Sequence, residues 1–279
     1  MNAQAIEKNF NEYETRIKET LKDREGIDLL IDYIKNRTDI KTAPYTKDGV
    51  MSEPGGCIKY ALTLHDTLIR MTEAEPWKTL WTKGIAIDGR PYKITKESLA
   101  IVALLSTLNN AYLFGTELKN VKTYDEEKIK VAEATGNGYK IKKDNRGFYM
   151  WETEEGYSYE DVLPLGSGVK AIALAMAYIH ISADEMLAIR WAQGNPGGLQ
   201  NYATINATYE KSPLSVMLAN ANLTTQYVLF NENIKWQKQK RNNQKATKTN
   251  KVDKENKENV ANEEVDLEKI ANIDIVTPL

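Results

Sequence analysis

Few side chains in this chain have the type and spacing for chemistry. Of its two histidines, His65 forms a His65-Asp66 doublet and His180 stands alone. Both read as structural residues rather than as metal ligands or bases. The single cysteine, Cys57, precedes His65 by two helical turns, so a thiolate nucleophile would need that imidazole to approach; a small buried residue is the simpler reading. Asp184 and Glu185 read as the acidic first turn of a helix. Gly166-Ser167-Gly168 lacks the lysine-bearing pattern of a phosphate loop. The polar groups that most need explaining are Ser106, Thr107, Asn109 and Asn110, because they follow the run Leu99–Leu105, apolar on every side. Buried without partners they would cost roughly 1–3 kcal/mol each, so they are satisfied locally or face a cavity.

The elements that must position these groups are mostly helices. Ile6, Phe10, Tyr13 and Ile17 recur at helical spacing over 3–21, and Ile27, Leu29, Leu30, Ile31 and Ile34 over 24–35. A loop with Pro44, Pro54 and Gly55-Gly56 leads to a third helix over 57–73, whose inward side carries Ile58, Ala61, Leu62, Leu64, Leu68 and Ile69. A short helical turn around Trp77, Leu80 and Trp81 and a loop with Asp88-Gly89 precede the central helix, predicted over 97–114. Tyr139–Lys142 and Gly147–Trp151 read as two strands joined through Asp144-Asn145-Arg146-Gly147, a small β insertion over about 136–153. Helices follow over 166–179, over 183–192 with Ser182 as cap, and from Pro213 to Phe230. Five tryptophans and fifteen tyrosines fall mostly at helical spacing and are assigned to the core.

With 279 residues, 42% of them hydrophobic, the chain can bury a sizeable core. A net charge of -2 gives no whole-chain attraction to nucleic acid or an anionic membrane, so nucleic acid is expected only through a local basic segment. The N-terminus lacks a signal-peptide pattern and no apolar run is long enough to span a bilayer, so a soluble intracellular protein is expected. Residues 235–262 are Lys, Asn, Gln, Glu and Thr with almost nothing apolar, the composition of a flexible linker, basic first and acidic later. Beyond it Val265, Leu267, Ile270, Ile273, Ile275 and Val276 form an apolar cluster within 263–279. That segment reads either as a peptide that docks on a partner protein or as a terminus packing back on its own domain, 1–234.

The order of motifs from about Gly26 to Phe230 resembles the HD-domain phosphohydrolases, and within them the single-domain proteins of bacteriophage and prophage genomes. The matching stretches are Gly55-Gly56-Cys57-Ile58-Lys59-Tyr60-Ala61-Leu62, Ile101 to Asn110, Pro164 to Ala171, Leu187 to Gly194 and Ala219-Asn220-Ala221-Asn222. The resemblance implies a mainly α, HD-like helical bundle with a small β-hairpin insertion and a flexible C-terminal tail. It also implies a vestigial pocket. Where the family carries histidines, aspartates and a lysine, this chain has Tyr60, Ser106, Thr107, Asn110, Ser167, Ala192, Ala219 and Asn222. Hydroxyls and amides are poor ligands for a hydrolytic metal, so no metal, cofactor or catalytic residue is expected. Ser106 has no histidine in the matching frame to activate it.

Three functions follow as alternatives. The first is a catalytically inactive interaction or assembly module, phage-encoded, acting in a bacterial cytoplasm or as a virion component, with its tail engaging another protein. The second is a metal-free nucleotide binder, its pocket helped by Arg190 on a phosphate. The third is a divergent hydrolase.

Overall fold

The computed structural model describes residues 2–82, 84–85, 91–92, 94–193 and 202–230. The proposed linker, 235–262, and the apolar tail residues Val265, Leu267, Ile270, Ile273, Ile275 and Val276 lie outside the described residues.

Where apolar residues recur at helical spacing, helices form. Helix α1 (Ala3–Thr20) starts at the Asn2 side chain, which accepts from the Ala5 N–H, and buries Phe10, Tyr13 and Ile17. Helix α2 (Ile27–Arg37) follows, with Leu29 exposed rather than inward. Helix α3 (Gly56–Met71) begins after Gly55, whose φ of 77° is the left-handed geometry that favours glycine. Short α4 (Trp77–Thr82) and the two-residue strands β1 (Gly84–Ile85) and β2 (Pro91–Tyr92) lead into the centre.

The central rod changes its winding twice. It is α-helical over α5 (Lys96–Ala100), a π turn over Ile101–Leu105 and a 3₁₀ turn over Ser106–Asn110. The five residues of the π turn are fully buried, as their all-round apolarity requires. Helices α1 and α3 pack against the rod, as do α7 (Val169–Met176) and α8 (Ala183–Trp191). Helix α10 (Pro213–Thr224), with Pro213 in its first turn, packs on α3, on α8 and on α9 (Tyr202–Lys211).

The rod ends at Asn110, four residues before the predicted Phe114. Tyr112 adopts a φ of 56°, which no helix continues through, and its N–H donates to the Asp39 carboxylate at 2.8 Å. Phe114 instead opens strand β3 (Phe114–Thr123), which pairs antiparallel along its whole length with β5 (Gly147–Tyr159). Strand β4 (Lys142–Asp144) adds to the other edge of β5 through the expected turn at Asn145-Arg146. The sheet order is therefore β3-β5-β4, and the insertion spans 114–159 rather than about 136–153. Helix α6 (Glu126–Ala134), started by the Asp125 side chain, packs on β5. Tyr139 and Lys140 lie in a 3₁₀ turn rather than a strand.

At the root of this ribbon Lys170, 1% exposed, donates to the Ala111 carbonyl at 3.1 Å and pairs with the Asp161 carboxylate. The helix containing it is shorter than predicted because Gly166 and Gly168 both take positive φ, so regular winding begins only at Val169. The assignment of the tryptophans and tyrosines to the core holds for Tyr13, Tyr45, Tyr60, Tyr149 and Trp191 and fails for Trp151 and Tyr159 on the ribbon and for Tyr202 and Tyr227, all of which are exposed. Among the described residues no helix is long and apolar enough to cross a membrane.

Candidate functional site

The 3₁₀ turn after the buried π turn presents Ser106, Thr107, Asn109 and Asn110 to a small cavity. Helix α3 contributes Tyr60, the turn before α7 contributes Ser167, the end of α8 contributes Ala192, and α10 contributes Asn222. Seven of the eight residues placed there by the family frame therefore line one cavity. The eighth, Ala219, is buried in α10 outside the lining. Arg190 is also outside it: its guanidinium donates to the Ser167 carbonyl at 2.8 Å and lies 4.3 Å from the centre of the Trp191 ring, so it braces the wall rather than facing a ligand.

Inside the cavity the polar groups are bonded to protein. Tyr60 Oη donates to Asn222 Oδ1 at 2.6 Å, and its ring stacks on Tyr45 at 3.5 Å between centroids and 7° between planes. Asn110 Nδ2 donates to the carbonyls of Tyr45 at 2.7 Å and Pro44 at 3.2 Å. Ser106 and Thr107 turn their hydroxyls back onto the rod, donating to Ala103 and Leu104. Asn109 Oδ1 accepts from the Gly168 N–H at 2.9 Å, and Ser167 Oγ lies 3.3 Å from Gln193 Oε1. The remaining space for water-sized spheres is about 10 Å³, enough for about one water.

The chemistry available in this lining is that of neutral groups. Among the described residues no carboxylate, imidazole, amine or guanidinium belongs to it. The two phenols hold their protons more tightly than a free tyrosine. Burial pushes Tyr45 up to about 12, and burial followed by the proximity of Tyr45 raises Tyr60 well above the usual phenol value. Among the described residues no three His, Cys, Asp or Glu side chains come together to hold a metal ion.

The other reactive side chains lie elsewhere. Cys57 is buried, donates to the Thr107 carbonyl at 3.5 Å, and has its thiol raised out of the reactive range by burial. His65 does not approach it as a base. Its Nδ1 sits 3.4 Å from Arg16 Nη1, which also binds Asp66 Oδ1 at 2.5 Å, so the doublet is tied to α1. Burial, then the Arg16 charge, pull the imidazole down to about 4, so it is neutral at pH 7. Glu185 is buried but accepts from Arg24, Ser98 and the Ser182 N–H, a capping box with an added ion pair.

Five lining residues were not predicted for the pocket: Tyr45, Asn109, Gly168, Ile189 and Gln193, of which Gly168 and Ile189 fall inside stretches matched to the family frame. Tyr45 sits in the proline-containing loop before α3, where only its position after Pro44 marked it. Gln193 adjoins the predicted Ala192, and Asn109 belongs to the polar set of the central rod without a counterpart in the family frame. Compared with known proteins, the chain matches no family model, no curated protein and no solved structure.

Proposed function

We propose that this chain is a catalytically silent protein built on an HD-hydrolase-like frame, serving as an interaction or assembly module. The observation that carries the reading is the lining of the central cavity. Residues drawn from six separate stretches of the sequence converge as neutral donors and acceptors, bond to one another and to the backbone, and leave space for about one water. A general acid or base must have a proton affinity near the working pH, and none of these groups does. Ligand pockets occupy roughly 300–1,000 Å³, so the same packing weighs against nucleotide retention. A phage origin and a docking role for the tail rest on the resemblance and on composition.

A thermal-shift titration against mono-, di- and cyclic nucleotides, with and without Mn²⁺ and with released phosphate measured in parallel, tests this. The expected result is an unchanged melting temperature and no phosphate release. A ligand at a hundredfold excess over its Kd would add about 2.7 kcal/mol of stability and raise the melting temperature visibly. Such a shift, abolished by Asn222→Ala, would replace the silent-pocket reading with nucleotide binding; Mn²⁺-dependent phosphate release would replace it with hydrolysis.

A further inference from the structure

The outer half of the ribbon carries an arrangement found nowhere else among the described residues. On the central strand β5, Tyr149 and Trp151 are two residues apart and so project to the same face of the sheet. Lys142 of β4 stands directly opposite Tyr149, and Lys122 of β3 directly opposite Trp151. Directly paired residues share a face. A strand bearing two aromatic rings is thus flanked by a lysine on either side, about 10 Å apart at the ordinary spacing of strands. Lys122 Nζ lies 4.0 Å from the Tyr149 ring centre and 5.6 Å from that of Trp151, and the Arg146 guanidinium lies 4.8 Å from the Tyr124 ring.

This face is open. Trp151 is 48% exposed, and Lys142, Arg146 and Thr153 are exposed beside it. Helix α6 covers the opposite face, where Lys128 pairs with Glu152 at 2.8 Å. The same alternation sends Glu152 and Glu154 away from the aromatic face. Two carboxylates stay on it: Glu155, four residues along β5 from Trp151, and Asp144, which accepts from Lys122 at 2.8 Å and from Tyr124 Oη at 2.9 Å. Lys142 and Arg146 make no ion pair among the described residues, so the face keeps a net positive charge around an exposed indole.

We propose that this face binds single-stranded nucleic acid, a base stacking on the Trp151 indole and the backbone phosphates seated against Lys142, Arg146 and Lys122. Every base has a π face, so an exposed indole on a flat sheet takes unpaired bases of any sequence, and flanking cations track the backbone. Paired bases in a duplex offer no free face to Trp151. A lipid surface fits less well. The hairpin tip is Asn145-Arg146, without an apolar wedge, and the exposed rings of Trp151 and Phe148 point from opposite faces, so they cannot enter one bilayer surface together. The surface is separate from the central cavity, and its test does not depend on whether that cavity is silent.

The experiment is a fluorescence-anisotropy titration of the full-length chain with labelled oligothymidylate and oligouridylate of equal length, at low and moderate salt, with a duplex as comparison. Binding to either homopolymer and weaker binding to the duplex are expected, and oligodeoxyuridylate, which differs from oligouridylate in the sugar alone, assigns the sugar. Trp151→Leu is expected to weaken binding about fivefold or more, with Trp151→Phe recovering part of it. Lys142→Gln and Arg146→Gln should each lower the slope of log affinity against log salt by about 0.7, a readout that stands even if the Trp151 variant is poorly folded. Absence of binding to both homopolymers would overturn the proposal. So would binding that survives Trp151→Leu but disappears when Lys235, Lys238, Lys240 and Arg241 are changed to Gln. Sedimentation with phosphatidylserine vesicles in place of oligonucleotide binding would overturn it in favour of a membrane.

Discussion

The polar groups around Ser106 and those on the outer ribbon are arranged for opposite ends. At the centre, Tyr60, Asn110, Thr107 and Ser106 are neutral, and each donates to a protein acceptor close by. On the ribbon, cations and rings stand at the surface, and Trp151 and Phe148 are about half exposed. A buried polar group left unpaired costs more than it returns, so the centre is selected for self-satisfaction. Exposed groups are already solvated, so their arrangement is free to follow a partner. The two regions should therefore respond very differently to substitution.

Tyr60→Ala should have the largest effect. It removes a fully buried ring stacked on Tyr45 and frees the Asn222 acceptor, and a cost of about 3–5 kcal/mol in urea denaturation is expected. A cost below about 1 kcal/mol would show that the cavity wall is loose and break the contrast.

The next effect is on pH dependence. His65 is depressed to about 4 in the folded protein and rises to the ordinary 6.5 on unfolding. Above pH 6.5 both states are neutral and stability is unaffected. As pH falls from 6.5 toward 4 only the unfolded chain takes up the proton, so stability is lost, on the order of 3 kcal/mol once both are charged. Denaturation at pH 7 and at successively lower pH should show this loss, and His65→Leu should remove most of it.

The smallest effect sharpens the comparison from the other side. Trp151→Leu should change stability by about 0.5 kcal/mol or less, because the ring is half exposed and the ribbon's backbone pairing stays intact. A matched circular-dichroism melt checks it. A large loss would make Trp151 part of the packing rather than part of a surface.

The sequence was most legible where the determinants are local. The spacing of Phe10, Tyr13 and Ile17, the Ser182 cap and Pro213 in the first turn of α10 each specify an element from neighbouring residues, and each element is present. The turn at Asn145-Arg146 was legible for the same reason. The end of the central rod was not, since Tyr112 is held by Asp39, 73 residues away in sequence. Strand β3 was missed because none of its residues is buried, so its sequence, Phe114-Gly115-Thr116-Glu117-Leu118-Lys119-Asn120-Val121-Lys122-Thr123, needs no regular alternation of apolar and polar side chains. Helix α6 had an available signal, Asp125 before Glu126-Glu127. The convergence of Tyr60, Ser106, Thr107, Asn110, Ser167, Ala192 and Asn222 was legible as a pattern of positions. That they close on one another is a matter of packing, set by Tyr45 from a distant loop.

The buried ammonium of Lys170 gives the ribbon a mechanical character. Strand β5 has 13 residues and at about 3.3 Å each forms an arm of roughly 40 Å. Its root is riveted to the rod at three places: Lys170 clamps Asp161 to the Ala111 carbonyl, the Glu160 N–H donates to Leu113 and the Val162 N–H donates to Tyr112. A force applied at the tip would be delivered through these rivets to Ala111, Tyr112 and Leu113, just past the end of the central rod. Anchorage at three successive residues makes that root a stiff one, so the arm is held by the helical body along its base and not at a single hinge.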